Sequence, residues 1–155
     1  MATQDGQIAY DKLDYPKFPS KQIAVVCTEW NSEITDKLLA GAIEALKKAE
    51  VERIISIKVP GAYEIPYACQ KLAQKSDVDG IVTLGAIIQG ETKHFDFISQ
   101  AVSQGVMGVS LKYSKPITFG IITPNNIEQA EDRAGGKLGN KGFEAALSLL
   151  KILDL

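Results

Sequence analysis

The chain has 155 residues, 45% of them hydrophobic and 23% charged, with 17 Lys and Arg against 19 Asp and Glu for a formal net charge of -2. That length predicts one domain, large enough to bury roughly 70% of its unfolded surface without disulfide or metal staples, and the composition is that of an ordinary globular protein. The near-balanced charge argues against a nucleic-acid protein held by phosphate contacts, no run of 18 apolar residues offers a membrane span, and the opening MATQDGQIAYDKLDYP has neither the basic start nor the apolar run of a secretory leader.

In chain order, residues 1–20 read as a polar arm broken by Pro16 and Pro19, with Gln7–Tyr10 as a short strand. Four strands follow at Gln22–Thr28, Ile54–Val59, Gly80–Ile88 and Ile117–Thr123. Their apolar residues run without alternation, which predicts a parallel sheet covered on both faces. Between them the apolar period is helical. Ile34, Leu38, Leu39, Ala42, Ile43 and Leu46 make one stripe, with Asn31 or Ser32 available as its cap. Ile65, Ala68, Cys69 and Leu72 make a second, with Pro66 tolerated in its first turn. Phe95, Ile98, Ala101, Val102, Gly105, Val106 and Val109 make a third. A short helix over about Asn126 to Arg133 and a closing one over about Lys141 to Ile152 complete the chain. Alternating strands and helices predict an open α/β sheet with right-handed crossovers. Such sheets bind ligands beyond the carboxyl ends of their strands.

The side-chain inventory narrows the chemistry. The two cysteines, Cys27 and Cys69, have no CxxC spacing, so a disulfide scaffold or zinc ribbon is not expected. The single histidine, His94, has no partners at metal spacing. GxSxG, GxGxxG and GxxxxGK[ST] are all absent. Acid–base chemistry therefore falls to His94, a carboxylate or a lysine.

At the strand ends the residues become more specific. After the first strand stands Trp30, the only tryptophan, in a loop where it either folds back on the core or stacks on a flat ligand. After the second comes Gly61-Ala62-Tyr63-Glu64-Ile65-Pro66, where free N–H groups at a helix start can hold ligand oxygens. After the third comes Gly85 through His94, with Gly90 freeing the loop and Thr92 at a helix amino end suited to an anion. His94 falls in that helix's first turn, near the strand ends where such sheets bind ligands. The fourth strand carries Phe119-Gly120, and beyond it Arg133 and Lys141 flank a glycine-rich connector, suited to a phosphate and a carbonyl oxygen respectively.

Gly61 to Pro66, Gly85 to Asp96, Phe119-Gly120-Ile121, Asn126-Ile127-Glu128-Gln129-Ala130 into Arg133-Ala134-Gly135, and Gly139-Asn140-Lys141-Gly142, in that order and spacing, resemble the lumazine synthase family. The resemblance runs from about residue 20 to the end. It implies a three-layer flavodoxin-like sandwich around a central parallel sheet, the whole chain forming one domain. It implies the joining of 5-amino-6-(D-ribitylamino)uracil to 3,4-dihydroxy-2-butanone 4-phosphate, the penultimate step of riboflavin synthesis, with no metal or organic cofactor. By position, Trp30 would stack on the pyrimidine. Backbone groups of Ala62, Tyr63 and Glu64 would hold the ribityl chain, and Ile87 and Ile88 would offer backbone to the ring. Glu91, Thr92 and Arg133 would bind phosphate, His94 would shuttle protons, and Lys141 would meet a ring carbonyl. Phe119, Arg133 and Lys141 would reach the site from an adjacent subunit.

Two positions depart from the family's pattern. Many members have Phe where Trp30 stands, and either ring stacks. Many have Arg or Lys where Gln89 stands, which places more of the phosphate's charge on Arg133. The resemblance further implies a pentamer. The compact Arg133–Gly142 connector is of the kind found in members whose pentamers build icosahedral shells, which implies riboflavin synthase as cargo and an amino-terminal arm that adds a strand to a neighbour. A cytoplasmic enzyme is expected. The competing readings are the related pentameric riboflavin synthase of the same fold and a lumazine- or flavin-binding module without catalysis.

Overall fold

The computed structural model describes residues 15–153 and residue 155, so the expected strand at Gln7–Tyr10 lies outside the described residues. The elements are β1 (Gln22–Thr28), α1 (Ser32–Lys48), β2 (Arg53–Val59), α2 (Ile65–Ala73), β3 (Gly80–Ala86), α3 (His94–Tyr113), β4 (Ile117–Ile122), α4 (Ile127–Arg133), β5 (Ala134–Gly136), β6 (Gly139–Asn140) and α5 (Lys141–Ile152). The first four strands form one parallel sheet in the order β2-β1-β3-β4.

The sheet is the middle of three layers, and the period-two geometry of strands decides what each face meets. Ile23, Val25 and Cys27 of β1 and Val82, Leu84 and Ala86 of β3 point to one side, into a core with Leu38, Ala42 and Leu46 of α1 and Phe143, Leu149 and Leu150 of α5. Ala24, Val26 and Ile81 point to the other, against Ile65, Cys69 and Leu72 of α2 and Val102, Val106 and Val109 of α3. Every residue of β1 and β3 is buried, as unbroken apolar runs require. This is the doubly wound, flavodoxin-like sandwich.

The expectation of full cover fails at the two edges. Ser56 and Lys58 of β2 and Phe119 of β4 are exposed, because an edge strand has a neighbour on one side only. Two strand ends are also shorter than the apolar runs. β3 stops at Ala86 and β4 at Ile122. Ile87 and Ile88 leave the sheet although apolar, the N–H of Ile87 donating to the Ile122 carbonyl at 2.9 Å.

The connector after α4 is an antiparallel hairpin of β5 and β6, more ordered than the compact glycine-rich connector its sequence suggests. Gly135 (φ 112°) and Gly139 (φ 73°) supply the left-handed backbone it needs. The chain ahead of β1 is already docked at Phe18, which is buried and donates its N–H to the Ala49 carbonyl at 2.9 Å. Among the described residues no helix is long and apolar enough to cross a membrane.

Candidate active site

The strand order reverses between β1 and β3. β1 is followed by β2 on one side, and the next strand, β3, lies on the other. At such a switch point the loops leaving the two strands part and open a crevice at their carboxyl ends. A cavity of about 500 Å³ lies there, and its walls include Trp30, Ala62, Tyr63, Glu64, Ile87, Ile88 and His94. These seven expected residues come from four separate stretches of chain.

Each wall has a local cause. β1's exit is held to β2's exit by the Glu29 N–H on the Val59 carbonyl (2.8 Å) and the Trp30 N–H on the Pro60 carbonyl (3.1 Å). The indole is 68% exposed, which excludes the fold-back alternative. It lies over Gly61, where a Cβ would stand 2.8 Å from two ring carbons. Gly61 is needed there for close approach.

Ala62–Glu64 form one 3-10 turn leading into α2. The Glu64 carboxylate turns back to accept the Gly61 N–H at 3.0 Å. His94 opens α3, and its N–H donates to Thr92 Oγ1 at 3.3 Å. Glu91 and Thr92 sit in the exposed loop just before this helix and do not line the cavity.

One cap expectation is corrected. Asn31 occupies the cap position of α1 but in the left-handed conformation (φ 57°, ψ 43°), and its side chain makes no cap bond. Its Nδ2 instead donates to the Ala86 carbonyl at 2.9 Å, and both residues line the cavity with Trp30.

The remaining expected residues gather elsewhere. Phe119, Arg133 and Lys141 border a second cavity of about 520 Å³ outside β4, which shares no lining residue with the first. Arg133 Nη1 donates to the Gln129 carbonyl at 2.9 Å. Lys141 Nζ donates to both oxygens of Glu144, at 2.9 and 2.7 Å, with both side chains mostly buried. One chain thus builds an aromatic and backbone-lined cavity with His94, and a separate cavity bordered by Arg133 and the Lys141–Glu144 pair. Sequence reasoning missed Asn31, Gln129 and Glu144. The i,i+3 spacing of Lys141 and Glu144 on a helix was a readable signal. Asn31 pairs with a residue 55 positions away, and nothing local announces it.

Neither cysteine is a nucleophile candidate. Both are buried and free. Burial pushes the Cys27 thiol up, against a smaller opposing pull from Lys58, and pushes the Cys69 thiol up to about 12. Among the described residues no cluster of three or more His, Cys, Asp or Glu side chains could hold a metal ion.

Comparison with known proteins bears on the same residues. A family model described as 6,7-dimethyl-8-ribityllumazine synthase matches residues 20–155. A protein of that name from Cytophaga hutchinsonii is 47% identical over 155 residues, spanning 99% of this chain and 98% of the relative. Those from Limosilactobacillus reuteri and Bacteroides fragilis are 48% and 44% identical, spanning 88% and 86% of this chain and 90% and 94% of their own. The matched span takes in the whole sheet and both cavities, and on that match the chain belongs to the 6,7-dimethyl-8-ribityllumazine synthase family.

Proposed function

We propose that this chain is a transferase of riboflavin biosynthesis that condenses 5-amino-6-(D-ribitylamino)uracil with 3,4-dihydroxy-2-butanone 4-phosphate to 6,7-dimethyl-8-ribityllumazine, releasing phosphate and water, at a site completed between two subunits. Family membership supports the reaction. The observation that carries the shared site is the division of the residue set into two cavities with no lining residue in common.

In this reading the crevice at the switch point takes the uracil. Trp30 stacks on the ring, the Ala62–Glu64 turn holds the ribityl hydroxyls, and Ile87 and Ile88 present backbone to the ring edge. Ile87 has its N–H engaged with Ile122, so its carbonyl is the group it offers. A neighbouring subunit supplies Phe119 as a lid, Arg133 to the phosphate and Lys141 to a ring carbonyl. Glu91 and Thr92, in the loop just before α3, bind the phosphate with Arg133.

The steps are imine formation between the uracil's 5-amino group and the ketone, loss of phosphate, and ring closure by the ribitylamino nitrogen with loss of water. None changes the oxidation state overall, so proton transfer and positioning suffice. His94 moves protons, a contribution of about 10²–10⁴-fold when well placed. Holding two substrates together supplies much of the rest. Pentamers assembled into a sixty-subunit shell, a cytoplasmic location and a riboflavin synthase as cargo complete the proposal.

Two experiments test it. Mixing both substrates with the protein should produce lumazine absorbance and released phosphate together, and neither product would refute the activity. Co-expressing His94→Ala with Arg133→Ala chains then tests the shared site. If halves combine between neighbours, about one site in four joins an intact His94 half to an intact Arg133 half, since each neighbour is chosen at random in a cyclic ring. Activity near a quarter of the parent's is expected, and hybrids no better than either variant alone would place the site within one chain. In analytical ultracentrifugation, a species no larger than a pentamer would refute the shell.

A further inference from the structure

Asn31 is held in a conformation that costs an ordinary residue free energy, and it is held there beside the crevice. Its φ of 57° and ψ of 43° lie in the left-handed region, which Asn enters more readily than most side chains but seldom without compensation. The compensation is visible. Only the amide NH₂ can donate to a carbonyl, and Asn31 Nδ2 donates to the Ala86 carbonyl at 2.9 Å. Ala86 ends β3, where it is buried and paired with Ile122 of β4. It is therefore a rigid anchor.

The anchor matters because of what Asn31 adjoins. Trp30, immediately before it, is tied to β2's exit through the Pro60 carbonyl. Ile87 and Ile88, immediately after Ala86, form the facing wall. The Thr28 hydroxyl donates to the Trp30 carbonyl at 3.3 Å, and the Thr35 hydroxyl donates to the Thr28 carbonyl at 2.9 Å. These bonds fix the loop from the β1 and α1 side. The Asn31 bond adds a tie from the other side, joining the loop that carries Trp30 to the end of β3, after which Ile87 and Ile88 follow.

We propose that Asn31 is a positioning residue for the pyrimidine subsite, its side chain acting as the cross-brace that fixes the spacing between Trp30 and the β3 exit. The inference rests on the reading of Trp30 as the stacking surface. A flat ring held between an aromatic face and a strand exit needs that gap preset. Without the brace the gap fluctuates, and binding must supply the ordering.

Two substitutions separate the brace from the backbone conformation. Asn31→Asp keeps the size and the tolerance of the left-handed region but has no donor for the Ala86 carbonyl. Asn31→Gly relieves the backbone and also removes the brace, so a variant that keeps its melting temperature and still binds poorly rules out misfolding as the cause. Both should raise KM for 5-amino-6-(D-ribitylamino)uracil by about threefold to tenfold, the change that one net hydrogen bond supplies. KM for the butanone phosphate should stay within about twofold, and the fluorescence anisotropy of Trp30, the only tryptophan, should fall in the unliganded protein. Unchanged uracil KM and unchanged anisotropy in Asn31→Asp would overturn the inference. Trp30→Ala separates the two levels. If it leaves uracil KM unchanged, the stacking reading and the brace both fail. If it raises KM while Asn31→Asp does not, the brace alone fails.

Discussion

Gly142 connects the packing of the fold to the placement of Lys141. A Cβ built on Gly142 stands 2.0 Å from the Leu38 carbonyl oxygen and 2.7 Å from its carbon. Real Cβ contacts essentially never fall under 3.0 Å, so Gly142→Ala forces α5 and α1 apart by at least the difference, about 1 Å. The obstacle is backbone in a buried stretch of α1, so no side chain can rotate away. The junction is also tied on both sides. Asn140 accepts the N–H groups of Gly142 and Phe143 at 2.9 and 3.1 Å and donates to the Lys37 carbonyl at 2.8 Å, while Gly41 makes room for the Asn140 side chain, which a Cβ there would meet at 2.4 Å.

Overpacking costs about 1–3 kcal/mol, and an immovable carbonyl puts this case at the upper end. At about 2–4 °C per kcal/mol for a chain of this size, the melting temperature should fall by roughly 6–12 °C. It should be measured at matched protein concentration, because assembly itself stabilises by mass action. Lys141 precedes Gly142 and shifts with it, so KM for the uracil substrate should rise as well. A melting temperature within about 2 °C of the parent, with unchanged KM, would refute the close-approach argument.

Three further outcomes are expected. Arg133→Ala should raise KM for the butanone phosphate by about 10- to 100-fold, as loss of charge-assisted hydrogen bonds implies, with a much smaller effect on the uracil; equal effects on both would remove its phosphate role. His94→Ala should slow turnover by about 10²–10⁴-fold and leave residual activity, as for a proton shuttle that is not an essential nucleophile; unchanged turnover would eliminate it. The two buried thiols should resist a thiol reagent at pH 8 in the native protein and react at once in denaturant, because only the thiolate attacks. Since the folded protein binds the Cys69 proton more tightly than the unfolded chain, with a pKa of about 12, that proton's contribution is constant below the unfolded value of about 8.5 and declines as pH rises from there toward 12. Cys69→Ala should therefore flatten the alkaline fall in stability, and rapid native labelling would contradict the burial.

The sequence marks elements well where local chemistry determines them. The runs at β1 and β3 lie in the middle of the sheet, and their apolar residues at every position say so. The run at β2 looks alike until Ser56 and Lys58 are weighed. They point to one face at a spacing of two, and an edge lysine is a device against further strand pairing. Reading the run as apolar hid that signal. Ile87 and Ile88 extend the apolar run of β3, yet their apolar character serves the crevice instead. The β5–β6 hairpin is too short for any period to register. Asn31 shows the deeper limit. Its type fits a helix cap, and only the fold places Ala86 where its amide has a better partner.

Strand order also explains why the crevice residues meet within one chain and the cations do not. β1 lies between β2 and β3, so the exits carrying Trp30, Ala62–Glu64 and Ile87–Ile88 are adjacent, and α3 begins with His94 beside them. β4 is the far edge, two inter-strand spacings or about 10 Å from β1, and the segments that follow it carry Arg133 and Lys141 outward around that edge. In the proposed reaction, binding the uracil calls for a flat slot and backbone groups, and the switch-point cavity offers both. Stabilising a departing phosphate calls for positive charge, which the proposed reaction draws from Arg133 on the opposite flank, where Lys141 is paired with Glu144. A copy that presents its β4 flank to a neighbour's crevice brings the two requirements together without altering either half. On this reading assembly is part of the catalytic apparatus, because the subunit contact is where proton transfer and phosphate binding first share a substrate.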